Sequence, residues 1–397
     1  MKQSQTQTSS RLLSLDVLRG ITIAGMILVN NPGSWGSIYA PLEHAQWNGL
    51  TATDLVFPFF IFIMGVSMYL SYKKFDFKFS KTTFVKLLRR SALLFVIGVA
   101  LNWFGLFSRG LSGLRSEDMS VFDKIWESAT NFENLRILGV LQRLALVSFF
   151  GSLTVLIFKP KRIPWLIGII LVFYWILIAV TGSFGEDSKS LVFIIDRAVL
   201  GITHLYTDHL PDGSSLVFDP EGILSTLPCI AHVLLGFLAG KMISETKDNG
   251  QRIQKLFIFG TIIMFLGFMI DYGFPINKKI WSTSFVLATS GLASLLLGLL
   301  IWIIDMKGNK RWSVFFETFG VNPLFIFVIG GVISVLISTI GFSFLGNWIS
   351  IKGFIYNQWL VPVFGELPGS LVFALLFITM CWFIGYFLYK KKIFIKL

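Results

Sequence analysis

The chain has 397 residues, of which 54% are hydrophobic, 16% aromatic and only 14% charged, with a net charge of +12 and a mean hydropathy of +0.73. An ordinary soluble domain carries roughly 25% charged residues, so a soluble multidomain enzyme is excluded. A basic excess in so apolar a chain orients membrane helices rather than binding nucleic acid.

A bilayer core of about 30 Å needs about 20 apolar residues per helix. Ten segments meet this requirement: 14–31, 51–72, 89–107, 137–158, 163–181, 222–240, 254–271, 281–304, 317–339 and 367–389. The polar start, MKQSQTQTSS, is expected to be a disordered cytoplasmic stretch over 1–10, with 11–397 forming one transmembrane domain. The first apolar run carries Asp16 and Arg19 and has no small-residue cleavage site, so it reads as a span and not a signal peptide. Asp16 and Arg19 lie three apart on one helical face. Each costs about 2.5–3.5 kcal/mol at a helix centre, so they either pair to position the helix or face a polar cavity.

Asn30 and Asn31 end the first span, and a loop leads to Glu43-His44-Ala45-Gln46-Trp47-Asn48. Asp54 opens the second span. Histidine suits proton transfer near neutral pH, and an adjacent acid can orient it; an ordinary interfacial histidine is the alternative. A basic run from Lys73 to Arg90 leads into the third span. Gln142 and Arg143 fall inside the fourth, where they are expensive unless they face a cavity. His204 and His209 stand near Asp208 and Asp212 but make no metal-ligand cluster. Asp219-Pro220-Glu221-Gly222 opens the sixth span, where carboxylates also suit a helix N-terminus. His232, inside that span, reads as a core histidine. Asn277, Lys278 and Lys279 precede the eighth span, and Asn322-Pro323 interrupts the ninth. Such broken helices line polar cavities in membrane proteins. Cys229 and Cys381 sit in separate apolar stretches and form no disulfide framework.

Lysine and arginine concentrate on alternate connections, at 73–90, 159–162, 241–255, 307–311 and 390–396. The positive-inside rule therefore puts both termini in the cytoplasm and the long loops 32–50, 108–136, 182–221 and 340–366 outside. The expected fold is all-α: a polytopic integral membrane protein of about ten transmembrane helices.

Six stretches, in order, strongly resemble the heparan-α-glucosaminide N-acetyltransferase family. They are SLDVLRG (14–20), LVNN (28–31), HAQWNGLTATDLVFPFFIFIMG (44–65), RILGVLQRLAL (136–146), FDPEGILSTLP (218–228) and PINKKIWSTSFVL (275–287). SLDVLRG alone is weakly similar to the broader membrane acyltransferase superfamily. The resemblance implies a ten-helix catalytic domain that passes acetyl from cytoplasmic acetyl-CoA to the amine of a terminal glucosamine-type sugar on the far, periplasmic side. His44 matches the family's catalytic histidine and Asn30 its functional asparagine, with Asp54 in support. Both an acetyl-histidine and a base in a ternary complex remain open. Arg90, Arg143 and Arg19 are the expected cofactor contacts, and Trp47, Glu221, Asn277 and Lys278 the expected substrate contacts. No metal is called for. The expected partners are an amino-sugar or glycan substrate, membrane lipid and a second copy as homodimer, but no nucleic acid. The expected location is a bacterial inner membrane. Rival readings are an amino-sugar transporter and an O-acetyltransferase of surface glycans.

Overall fold

A computed structural model describes residues 12–185, 189–209 and 215–395; the stretch 1–10, expected to be disordered, lies outside them. The helices, in chain order, are α1 (Leu13–Val29), α2 (Ala52–Tyr72), α3 (Lys81–Gly113), α4 (Val121–Thr130), α5 (Val140–Val180), α6 (Leu191–Leu200), α7 (Thr226–Glu245), α8 (Asn249–Asp271) and α9 (Thr283–Leu300). They are followed by α10 (Val314–Val321), α11 (Pro323–Thr339), the short α12 (Ile351–Phe354) and α13 (Val361–Phe364), and α14 (Glu366–Lys390). Two small antiparallel hairpins sit in the loops, β1 (Thr207–His209) with β2 (Ser215–Val217) and β3 (Gly341–Phe344) with β4 (Asn347–Ser350).

Each of the ten predicted segments falls on a helix. Seven helices among the described residues are long and apolar enough to cross a membrane, and the bent pair α10–α11, meeting at 89°, makes an eighth. Helix α1, with 17 residues, rises only about 26 Å and just falls short. Helix α5 carries two predicted spans. They part at Lys159 (φ 58°, ψ 148°), beside Pro160 and Pro164, which lack the N–H that would continue the ladder. The protein is an all-α polytopic membrane protein.

Without a hydrophobic force between helices in lipid, close backbone packing holds them together. Helices α2 and α7 cross where a Cβ on Gly65 would stand 2.0 Å from the Val233 carbonyl oxygen, and one on Gly236 2.0 Å from that of Phe62. Gly20 and Gly320 do the same for α1 and α10. Span boundaries differ from expectation: α3 (Lys81–Gly113) overruns the expected 89–107 at both ends, and the sixth span starts late. The sixth span was expected from 222, but α7 begins at Thr226. Residues 219–225 form a turn, because Gly222 and Ser225 are hydrogen-bonded to Arg143 from α5.

Candidate active site

Asp54 is the third residue of α2. It reaches back over the helix start and accepts hydrogen bonds from the backbone N–H groups of Thr51 (3.2 Å) and Ala45 (3.0 Å). This end-capping use of an acid fixes the carboxylate, which is 1% exposed. His44, 49% exposed, places Nδ1 2.7 Å from Asp54 Oδ1. That separation between a ring nitrogen and a carboxylate needs a shared proton, so Nδ1–H donates to Asp54. In the neutral ring Nε2 then keeps its lone pair. Lys278 comes from the loop between α8 and α9, with Nζ 3.4 Å from Asp54 Oδ1 and 3.1 Å from His44 Nδ1. Burial pulls Lys278 below the ordinary lysine value, while Asp54 and Glu221 oppose that shift. The result is an accessible basic nitrogen backed by a buried acid and flanked by an ammonium.

Next to it lies a buried ionic group. Arg136 donates to both oxygens of Asp219 (2.9 and 2.7 Å) and to Glu221 Oε2 (2.6 Å). Asp219 also accepts from the Glu221 N–H at 3.0 Å, so its expected capping role is joined by an ion pair. Burial raises Glu221. The charges of Arg136, Arg143 and Lys278 outweigh it and hold the carboxyl below its ordinary value. Arg143 is fully buried; it donates to the Gly222 carbonyl at 3.0 Å and to Ser225 Oγ. Its guanidinium lies 5.1 Å from the Trp281 ring centroid.

Asp196 of α6 is the outlier of this region. It is wholly buried, accepts from the Ile223 N–H at 2.7 Å, and is pushed up to about 7 by burial. A carboxyl that folds neutral stabilises the protein fully below its unfolded value of 3.8, and this contribution is lost as pH rises to about 7. Asp196→Asn should therefore match the wild type in melting temperature near pH 4 and exceed it above pH 7. Parallel curves across that range would contradict the assignment.

Several expected site residues are already committed to structure. Asn277 is buried. Its amide donates to Asn48 Oδ1 (3.2 Å) and accepts from the Ile280 N–H (3.0 Å), and its own N–H goes to Ser282 Oγ (3.0 Å). With the Gly49 N–H donating to the Ile276 carbonyl at 2.8 Å, it pins the Lys278 loop against the His44 loop. Trp47 donates to the Phe184 carbonyl at 3.0 Å and packs edge-on against Phe193 and Phe218. Asn30 is exposed at the end of α1, and among the described residues no hydrogen bond joins it to His44. Asn31 is the buried one, donating to the Ile27 carbonyl at 2.7 Å. His204 donates from Nδ1 to the Leu135 carbonyl at 2.8 Å, a structural role.

A cavity of about 520 Å³ opens among α1, α2, α3, α5 and α11. Arg19 and Arg90 both line it, with Ser67, Leu141 and Phe327 among its walls. Arg19 is held by Asp16 (3.1 Å), Ser67 Oγ (3.0 Å) and the Gly320 carbonyl (3.3 Å). Two of the three expected cofactor arginines thus share one cavity. Arg143 does not line it: α5 turns Leu141 and Leu144 to the cavity and Arg143 toward the Glu221 side. The opposite end of the cavity, at Met26, Phe60 and Val140, stops about 9 Å along α2 from Asp54, taking 1.5 Å per residue. The sequence carried no sign that Phe394 and Ile395 complete the wall.

No family model matches the chain. Curated relatives do. The chain is 29% identical over an alignment of 449 positions, all of its own length and 62% of the relative, to heparan-alpha-glucosaminide N-acetyltransferase of Mus musculus. The Homo sapiens protein of the same name is 29% identical over 439 positions, covering 98% of this chain and 60% of that one. The chain spans about three-fifths of the length of these relatives. Its similarity to proteins named heparan-alpha-glucosaminide N-acetyltransferase therefore runs through every helix described above.

Proposed function

We propose that this protein is a transmembrane N-acetyltransferase, moving acetyl from acetyl-CoA bound at the Arg19/Arg90 end of the cavity to the amine of a terminal glucosamine-type sugar at His44. The observation that carries the reading is a half-exposed His44 held through Nδ1 by the buried Asp54 at 2.7 Å, in a chain similar along its whole length to enzymes of that name. The cavity fits the donor. Its two guanidinium groups suit phosphates, and its long apolar body is within the volume range of small-molecule sites. The basic connections near Arg90 support a cytoplasmic mouth with His44 on the far side of the membrane, which in the proposed bacterial inner membrane is the periplasmic side.

Acetyl-CoA supplies an acetyl group activated as a thioester. His44 Nε2 takes a proton from the acceptor nitrogen as the N–C bond forms and the C–S bond breaks; CoA leaves as the thiolate, and the imidazolium gives its proton to that sulfur or to water. Asp54 holds the ring's other N–H and stabilises the charge that develops on it. Asn30, at the outer end of α1, is the donor in this reading for the oxygen that gains charge, and Lys278 adds positive charge beside it. Glu221 accepts a hydrogen bond from a polar group of the acceptor near the loop that Asn277 pins, over the Trp47 shelf.

The test is incubation of purified protein with labelled acetyl-CoA and a panel of amino sugars, read by mass spectrometry. An amide product is expected. An ester product would move the activity to O-acetylation, and uptake of unmodified sugar into liposomes without acetyl-CoA would make it a transporter. Within this reading, Arg90→Ala should raise the apparent KM for acetyl-CoA several-fold at low salt with little change in kcat. It should also flatten the salt dependence, because attraction by exposed charge is screened over about 8–10 Å. An unchanged KM at low salt would move the phosphate contact elsewhere.

A further inference from the structure

Beyond α14 the chain reverses. Lys392 adopts a left-handed backbone (φ 55°), and residues 393–395 fold back toward the bundle. Asn322 meets them there. It sits in the sharp break between α10 and α11, is 1% exposed, and uses both ends of its side-chain amide. Nδ2 donates to the Ile393 carbonyl at 2.8 Å, and Oδ1 accepts from the Ile395 N–H at 2.8 Å. This is the pairing of a strand edge, made by one side chain. It places Phe394 and Ile395 in the cavity wall with Val321 and Pro323. Arg19 belongs to the same corner, since it donates to the Gly320 carbonyl two residues before Asn322.

We propose that residues 393–395 are a strap across the arginine end of the cavity, fastened by Asn322, and that a ligand enters there only when the strap lets go. The break in the ninth span then has a purpose beyond lining a cavity. A continuous helix would bond its own backbone groups internally, whereas the break exposes one buried amide to an outside segment. The fastening is two neutral hydrogen bonds, each of modest net strength. It is firm enough to keep the strap closed most of the time and weak enough to open on a ligand's timescale. Identifying the ligand as acetyl-CoA rests on the functional reading above; the strap itself does not.

The experiment measures access directly. Ser148 lines the cavity from α5, and the two native cysteines are buried, so Ser148→Cys reports entry of a water-soluble maleimide. Asn322→Ala removes the fastener. Ile395→Pro removes the donor N–H, exchanges the Ile395 side chain for the smaller ring, and leaves the helix break untouched. Asn322→Ala, which loses both bonds, should speed labelling of Ser148→Cys by about 10-fold or more, and Ile395→Pro, which loses one, by several-fold, each with raised amide exchange across 393–395 to match. Acetyl-CoA should slow labelling in all three backgrounds. Faster labelling without protection by acetyl-CoA would support the strap and reject acetyl-CoA as the cavity's ligand. Equal labelling rates with and without the fastener would overturn the strap, whatever the ligand.

Discussion

Replacing His44 with alanine is expected to cut acetyl transfer by at least about 10²-fold, the usual contribution of a positioned general base, while acetyl-CoA binding stays near normal. The split follows from geometry. His44 and its acid stand at the N-terminal end of α2, whereas Arg19 and Arg90 line the far end of the cavity. His44→Ala deletes an exposed ring and leaves Asp54 with the Ala45, Thr51 and Lys278 groups that already hold it. The carboxylate is therefore not orphaned, and the fold should survive. Paired measurement of cofactor binding and turnover decides the matter. Near-normal turnover eliminates His44 as the catalyst. Loss of both properties signals misfolding, and Asp54→Asn then becomes the cleaner probe: it keeps the shape but accepts the ring proton less well.

Arg136→Met should be the most damaging single change outside the reacting groups. It strips the partner from Asp219, which is fully buried, and from Glu221, whose side chain is 12% exposed. Breaking a buried pair from one side costs about 3–5 kcal/mol, because the remaining charge has no solvent to return to. Arg136 is itself 28% exposed, which sets the expectation at the lower end of that range. The loss should appear as a depressed melting temperature in detergent. Neutralising the stranded acids as well, with Asp219→Asn and Glu221→Gln in the Arg136→Met background, should recover most of it. A triple variant no more stable than Arg136→Met alone would show that Arg136 acts through packing and not charge.

The spans were legible from hydropathy because the bilayer imposes one length and one polarity on every crossing. His44 and Asp54 were legible because a ten-residue loop-to-helix spacing is local, and Asp54's capping position forces it back toward the loop. Lys278 was named only as a substrate contact; its place beside them is a tertiary fact that no spacing could give. Arg143 shows the limit from the other direction. A charge inside a span announces a cavity or a partner, but not which side of its helix it faces, and Arg143 faces the Gly222 turn instead of the cavity lined by Arg19 and Arg90. Asn277 carried the same ambiguity, since a polar loop residue can touch ligand or brace the loop. Here all its polar atoms brace. The strap was invisible because Ile393, Phe394 and Ile395 read as an ordinary apolar tail until Asn322 is found beneath them.

The glycine crossing of α2 and α7 bears on which parts of this protein can move. With Gly65 against the Val233 carbonyl and Gly236 against that of Phe62, the two backbones touch with no side chain between them, so a side chain larger than glycine at either position would push them apart. They form a fixed mast through the bilayer, with Asp54 at its head. A carrier that rocks one half of itself against the other would need its hinge or shear surface elsewhere. The acetyl transfer proposed above asks for the opposite arrangement: a reaction point held by close packing, with the proposed strap and the broken helix as the parts that admit one reactant.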